Sequence, residues 1–104
     1  FTSLFSCVII NMAEKVKFKT ASNKEYTLFW KNPPYDDADG LCWSPEYKKP
    51  KIMIRPNLLP RRKLSVTIEE VVHAFWFDKS ETEVRKFSGT LSKILYQHGW
   101  RLNK

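Results

Sequence analysis

Two stretches near the start of the chain alternate between apolar and polar residues, which is the pattern of a half-buried strand. The stretch K-V-K-F-K-T places Val16 and Phe18 on one face and the lysines on the other. Residues 25–30 alternate again, and the residues between the two stretches have turn chemistry. The pattern predicts a β-hairpin over residues 15–30.

A loop and two shorter strands are expected next. Residues 31–40 contain prolines, aspartates and a glycine, which break the periodicity. The segments 41–43 and 51–55 read as short strands that we expect to pair. Pro56 and Pro60 end the second of them, because proline cannot donate to a sheet ladder and disfavours helix in the residue before it.

Helical periodicity follows in two segments. In the first, apolar residues recur at the spacing of one helix face: Ile68, Val71, Val72, Phe75 and Trp76. The sequence S-x-x-E at residues 80–83 is a capping box that opens a second helix. Its expected inward residues are Val84, Phe87, Leu91, Ile94 and Leu95. The chain is therefore predicted to be an α+β domain, in which a small antiparallel sheet precedes two packed helices.

The composition limits the number of domains, the partners and the cellular location that we expect. A chain of 104 residues suits one domain, and a net charge of +7 favours anionic partners such as nucleic acid, although a solvated basic face explains the charge more simply. Cys7 and Cys42 lack metal-ribbon or redox spacing, so we expect no disulfide framework and a cytoplasmic location. No run is long enough to span a membrane.

The first residues look different from the rest. Residues 1–11 are apolar and uncharged, whereas Met12 begins a segment that resembles a natural start. We interpret residues 1–11 as a non-native or upstream-translated leader, and residues 12–104 as the domain.

The residues with the most chemistry lie on the first predicted helix. Glu69, Glu70 and His73 form E-E-V-V-H, one residue away from H-E-x-x-H, in which two histidines bind zinc and the glutamate is a general base. Glu69 and His73 fall one turn apart beside the apolar stripe, with Glu70 near His73 on the more polar side. If the chain reverses after Asp78, Glu81 joins them, and a Glu-His-Glu triad suits a divalent metal.

Each of these residues also has an ordinary structural explanation. Carboxylates are favoured in the first turn of a helix, and residues 67–70 form a possible T-x-x-E capping box. A single histidine beside an apolar stripe is often only a hydrogen-bonded residue. Spacing alone leaves both interpretations open.

Taken in order, several short motifs resemble a known family. The chain is similar to small zinc metallopeptidase-like proteins of bacteria and phages, related to the SprT-like and ImmA-like minimal zincins. The resemblance covers about residues 40–101. It is carried by Gly40-Leu41-Cys42, Lys51-Ile52-Met53-Ile54, Glu69-Glu70-Val71-Val72-His73-Ala74, Phe77-Asp78, Glu81, Val84 and Leu95-Tyr96-Gln97-His98-Gly99-Trp100-Arg101.

The resemblance implies a zincin-like fold, a peptide or protein substrate and a role for each site residue. It implies that His73 and Glu81 bind the metal and that Glu70 is the general base. Glu69 stands where the family has its first histidine, so either it replaces that ligand or the site is degenerate. A carboxylate there favours harder ions such as Mn²⁺ over Zn²⁺. The alternative function is a non-enzymatic basic module that binds protein or nucleic acid.

Overall fold

The computed structural model describes residues 15–101, which form one four-stranded sheet and two helices. The predicted leader at residues 1–11 lies outside the described residues. The strands are β1 (Lys15–Lys19), β2 (Glu25–Phe29), β3 (Gly40–Cys42) and β4 (Lys51–Ile54), and the helices are α1 (Pro60–Phe75) and α2 (Glu81–Gln97). The fold is α+β, as the sequence predicted.

The predicted hairpin is formed by β1 and β2. The two strands are antiparallel, with Lys15 opposite Phe29 and Lys19 opposite Glu25. In the turn, Asn23 has a φ of 66°, a left-handed conformation that asparagine tolerates better than most residues. The Thr20 carbonyl accepts from the Asn23 amide at 2.9 Å and so closes the turn.

The sheet is mixed, which corrects the prediction of a purely antiparallel sheet. Its strand order is β1-β2-β4-β3. The expected pairing of β3 with β4 is present and antiparallel, but β4 inserts beside β2 and runs parallel to it. After β2 the chain forms β3 at the edge of the sheet. It then returns as β4, which lies between β2 and β3. Local patterning does not encode this order.

The main core lies between the sheet and α1. Tyr26 is fully buried, and its hydroxyl donates to the Trp43 carbonyl at 2.8 Å, so the phenol crosses the core without an unsatisfied polar atom. The Phe18 ring stacks between those of Tyr26 and Phe75, which ties the hairpin to the end of α1. The buried core cluster consists of Tyr26, Leu28, Ile52, Ile54, Val66 and Ala74.

Helix α1 begins earlier than the capping-box interpretation implied. Pro60 occupies the start of the helix, where its missing N–H costs nothing. The buried residues of the helix are Val66, Glu69, Glu70, Val72 and Ala74. Trp76, predicted to lie in the apolar stripe, is 52% exposed, because the helix ends at Phe75 and the chain turns away there.

Helix α2 begins with the predicted cap and packs against α1. The Ser80 hydroxyl accepts from the Glu83 amide at 3.2 Å. Val84, Ser88 and Ser92 are buried, and their spacing of four puts them on one line facing α1. The hydroxyls of the two buried serines are satisfied within the helix, since Ser88 donates to the Val84 carbonyl at 2.7 Å and Ser92 to the Gly89 carbonyl at 3.1 Å.

Two residues expected to point inward on α2 do not. Phe87 is 52% exposed and Ile94 is 55% exposed. They lie about 100° around the helix from the buried serine line, beyond the strip that α1 covers. The apolar pattern of α2 is thus wider than its contact with α1. Within residues 15–101, no helix is both long and apolar enough to cross a membrane.

Candidate metal centre

The start of α1 at Pro60 places the acidic pair in the helix interior. The first turn of α1 contains no acidic residue, so neither helix-dipole stabilisation nor an N-terminal capping box accounts for Glu69 and Glu70. The Thr67–Glu70 capping interpretation is therefore wrong. Both carboxylates instead lie on the buried side of the helix, each only 7% exposed.

The chain reversal between the helices brings Glu81 to the same place. The Lys79 amide donates to the Trp76 carbonyl at 3.0 Å in this turn, and Ser80 then caps α2 immediately before Glu81. As a result, Glu81 Oε1 lies 2.8 Å from His73 Nε2. The reversal that the sequence predicted is present.

Glu69, His73 and Glu81 converge on one point. Each offers a ligand atom, and these atoms all lie within 4.8 Å of one another. The predicted convergence is present, whereas the role of the three residues as metal ligands stays a prediction. The His73 side chain is 14% exposed and that of Glu81 is 53% exposed, so the group is buried on the α1 side and open to solvent on the α2 side.

The donor set fits a divalent cation. Zinc binds imidazole nitrogen and carboxylate oxygen at about 2.0–2.2 Å, so its ligand atoms lie about 3.3 Å apart in a tetrahedral site. The distance of 2.8 Å between His73 Nε2 and Glu81 Oε1 and the upper limit of 4.8 Å for the whole group lie on either side of this value. Three protein ligands leave a fourth position for water or substrate, on the open side.

Glu70 faces the same cleft from inside. The sequence placed this residue on the more polar side of the helix, which is wrong, because Glu70 is buried against β3. Burial raises the pKa of its carboxyl from 4.5 to about 8, with further contributions from the charges of Glu69 and Glu81 and an opposing one from Arg85. Glu70 is therefore a group that holds a proton near neutral pH in the metal-free protein.

Gly40 explains how β3 approaches the helix so closely. A Cβ atom at this position would lie 2.7 Å from Val66 Cγ1 and 2.9 Å from Glu70 Cγ. Both distances are shorter than a normal carbon contact, so only glycine fits without a shift. The Gly40-Leu41-Cys42 motif thus has a structural reason, since it lets the edge strand lie over the acidic face of α1.

Cys42 and Tyr26 adjoin Glu70 on the core side. Burial raises the pKa of the Cys42 thiol to about 12, and the nearby charge of Glu70 adds to the shift. Burial, followed by the influence of Cys42, raises the pKa of Tyr26 well above its ordinary value. Both groups are therefore neutral at physiological pH, and neither competes as an anion for a cation at the triad.

Arg85 is the residue that the sequence reasoning missed. Its Nη2 lies 3.3 Å from Glu81 Oε2 and its Nε lies 3.6 Å from Glu69 Oε2. The available signal was the spacing of four between Glu81 and Arg85 on α2, which places opposite charges together. The contact to Glu69 was not predictable from spacing, because it joins two helices.

The triad and Glu70 lie in a cleft between β3 and the helix pair. One end is lined mainly by charged side chains, including Asp37, Asp39, Arg62 and Arg85. The other end is lined by Leu41, Cys42, Phe77 and Lys79 beside the site residues. Gly40, Glu70 and Glu81 line both ends, so the two ends meet at the site.

The loop before β3 forms one wall of this cleft and is held by Arg55. The guanidinium donates to the carbonyl oxygens of Tyr35, Asp36 and Ala38, and the Asp39 carboxylate contacts both Arg55 and Arg62. The loop predicted at residues 31–40 is therefore tied to β4.

Comparison of the chain with protein families, curated proteins and solved structures finds no match.

Proposed function

We propose that this chain is a zincin-like metallopeptidase domain in which Glu69, His73 and Glu81 bind a divalent cation and Glu70 is the general base. The observation that carries the proposal is the convergence of the three ligand atoms within 4.8 Å, with Glu70 lining the same cleft. Zn²⁺ and Mn²⁺ are the candidate ions, since a second carboxylate moves the preference toward harder ions.

The cost of the metal-free arrangement supports a cation. Glu69 and Glu70 are buried acids, and Glu81 adds a third carboxyl group at the same place. Bringing acids together away from water is unfavourable unless a positive charge or a proton compensates, and a divalent cation would add to the compensation that Arg85 and the proton on Glu70 give. Among residues 15–101, the buried apolar core cluster contains none of these acids, as expected of a site kept for its chemistry.

The residues divide the chemistry between them. A bound divalent cation would lower the pKa of a coordinated water and polarise a carbonyl oxygen. A cation bound beside Glu70 would offset the charges of Glu69 and Glu81 that raise the pKa of its carboxyl. Ionised in this way, Glu70 would accept the proton of the attacking water and return it to the leaving amine, as a general base and then a general acid. The proposed ligands would hold the cation in place without taking part in proton transfer. These ligands are Glu69, His73 and Glu81. The cleft is open at both ends, which suits an extended peptide substrate.

Elemental analysis of the purified protein tests the metal site. We expect about one divalent ion per chain, lost in His73→Ala and retained in His98→Ala, a matched change at an exposed histidine on the end of α2. Zinc in Glu69→His together with no metal in the natural chain would show that the site has decayed.

The catalytic role needs a separate measurement. We expect Glu70→Gln to keep the ion but to lower peptide hydrolysis by at least about 100-fold, because general base catalysis contributes on the order of 10²–10⁴. Chelator should abolish hydrolysis by the natural chain and added ion should restore it. Metal binding with no hydrolysis of any peptide by the natural chain would contradict the enzyme and leave only a metal-binding domain.

A further inference from the structure

Arg85 contributes the guanidinium group nearest to the acidic cluster among residues 15–101. It contacts Glu81 from the next turn of α2 and reaches across to Glu69 on α1. Its contacts are to the Oε2 atoms of both carboxylates, while Glu81 Oε1 faces His73. One positive group therefore bridges the two carboxylates that converge with His73.

This position distinguishes Arg85 from an ordinary surface charge, because it balances two carboxylates on different helices. Two carboxylates on different helices repel each other when no cation lies between them, and a guanidinium between them removes that repulsion. A divalent cation at the triad would experience the reverse effect, because it would approach carboxylates whose charge is already partly balanced. The Arg85 side chain is 68% exposed, so it is free to swing away into solvent.

We propose that Arg85 is an internal counter-ion of Glu69 and Glu81, and that it competes with a divalent cation for these carboxylates. In the metal-free protein it stabilises the contact between α1 and α2. When a cation binds, this stabilisation is lost, and the apparent affinity of the site is lowered accordingly. The competition rests on the proposed metal site, whereas the counter-ion role does not.

The direction in which metal affinity changes when Arg85 is removed distinguishes a competing counter-ion from a residue that supports the metal ligands. A residue that merely orients metal ligands loses about 10–100-fold in metal affinity when it is removed. A competing counter-ion gives the opposite result, because its removal deepens the negative potential at the site. We expect Arg85→Gln to bind Zn²⁺ and Mn²⁺ about tenfold more tightly than the natural chain at low salt, with a smaller difference at high salt.

Calorimetric titration of chelator-treated protein with each ion provides the test. Lys86→Gln is the matched control, because it removes the same charge from the next position of α2, an exposed residue, and it should change affinity less than about twofold. Tighter binding in Arg85→Gln alone supports the competition. Weaker or unchanged binding in Arg85→Gln overturns it, and so does equal tightening in Lys86→Gln.

A thermal-unfolding cycle in chelator tests the counter-ion role without any metal. Arg85→Gln should lower Tm by about 3 °C in the natural chain and by much less in a Glu69→Gln/Glu81→Gln background, where both carboxylates that Arg85 contacts are replaced by neutral amides. An equal Tm loss in both backgrounds overturns the role. If no variant binds an ion, the metal site and the competition both fail, and the cycle still decides whether Arg85 is a counter-ion.

Discussion

Gly40 is the residue on which the geometry of the cleft depends most directly. Its missing side chain lets β3 pass over Val66 and Glu70. The edge strand and the acidic face of α1 therefore line the same cleft. A larger residue would push the strand outward and open the space above Glu70. The sequence motif was visible, but its reason became clear only from the contact distances.

Gly40→Ala should therefore destabilise the protein, by about 1–3 kcal/mol, because overpacking at a closed contact forces the backbone to move. Gly89→Ala is the control, since a Cβ atom there has no neighbour within 4 Å. In the middle of α2 this change should stabilise by about 0.5–1 kcal/mol. Urea unfolding of both variants measures the difference, and equal effects would contradict the close-contact explanation.

The raised pKa of Glu70 makes the stability of the metal-free protein depend on pH. The carboxyl titrates near 4.5 in an unfolded chain and at about 8 in the folded one, so between these values the folded state holds more protons. Stability should then fall as pH rises from 5 to 8, by on the order of 5 kcal/mol in total for the full difference in pKa. Above pH 8 this group should change the stability little.

Chemical denaturation in chelator at a series of pH values measures this dependence. Glu70→Gln, which cannot ionise, should flatten the curve and be the more stable protein at pH 8. Glu46→Gln alters an exposed acid outside the cleft and should follow the natural curve. A natural chain that gains stability between pH 5 and 8 would contradict the burial of Glu70.

At the scale of the elements, the sequence predicted the helices and the hairpin better than the order of the strands. The capping box at Ser80 and the alternation in β1 and β2 are local signals, and both were confirmed. The insertion of β4 between β2 and β3 depends on contacts between distant segments, which no local pattern contains. The burial of Glu70 depends on the same topology, because β3 covers it.

The convergence of the site residues was predictable for a specific reason. Glu69 and His73 are one helical turn apart, and Glu81 follows a short reversal, so the angle per residue and one turn suffice to bring them together. The exposure of Phe87 and Ile94 was not predictable in this way. Which part of a wide apolar face is covered depends on how the partner helix is placed.

Ser80 connects the stability of α2 with the position of Glu81. Ser80→Ala removes the hydroxyl that accepts from the Glu83 amide and should cost about 1 kcal/mol. Because fraying of this turn displaces Glu81, we also expect metal affinity to fall several-fold under the proposed function. Ser80→Asp keeps a cap and should preserve both properties in unfolding and titration experiments. A loss of stability in Ser80→Asp equal to that in Ser80→Ala would contradict the cap.

At the scale of the whole molecule, a basic chain contains an acidic cleft. The net charge is +7, yet the cleft is lined by Asp37, Asp39, Glu69, Glu70 and Glu81. The overall charge therefore does not describe the field that a ligand meets at the site. It bears instead on how the outer surface interacts with polyanions, which is the alternative function that the composition suggested.

Retention on immobilised DNA distinguishes a solvated basic surface from a nucleic-acid module. We expect weak binding that is lost by about 0.3 M salt and is the same for unrelated sequences, because it depends on counterion release alone. Glu70→Gln should behave like the natural chain. Retention that depends on sequence or survives higher salt would favour the binding module over the metallopeptidase.

The reversal between α1 and α2 has a further consequence if the site binds an ion. All three proposed ligands fall within residues 69–81, on either side of that turn. Coordination would therefore cross-link α1 and α2, as a covalent bridge does. The ion would then act on the folding of the C-terminal half as well as on chemistry. Without the ion, we expect α2 to separate from α1 more readily, and faster proteolysis near residues 76–80 would report this.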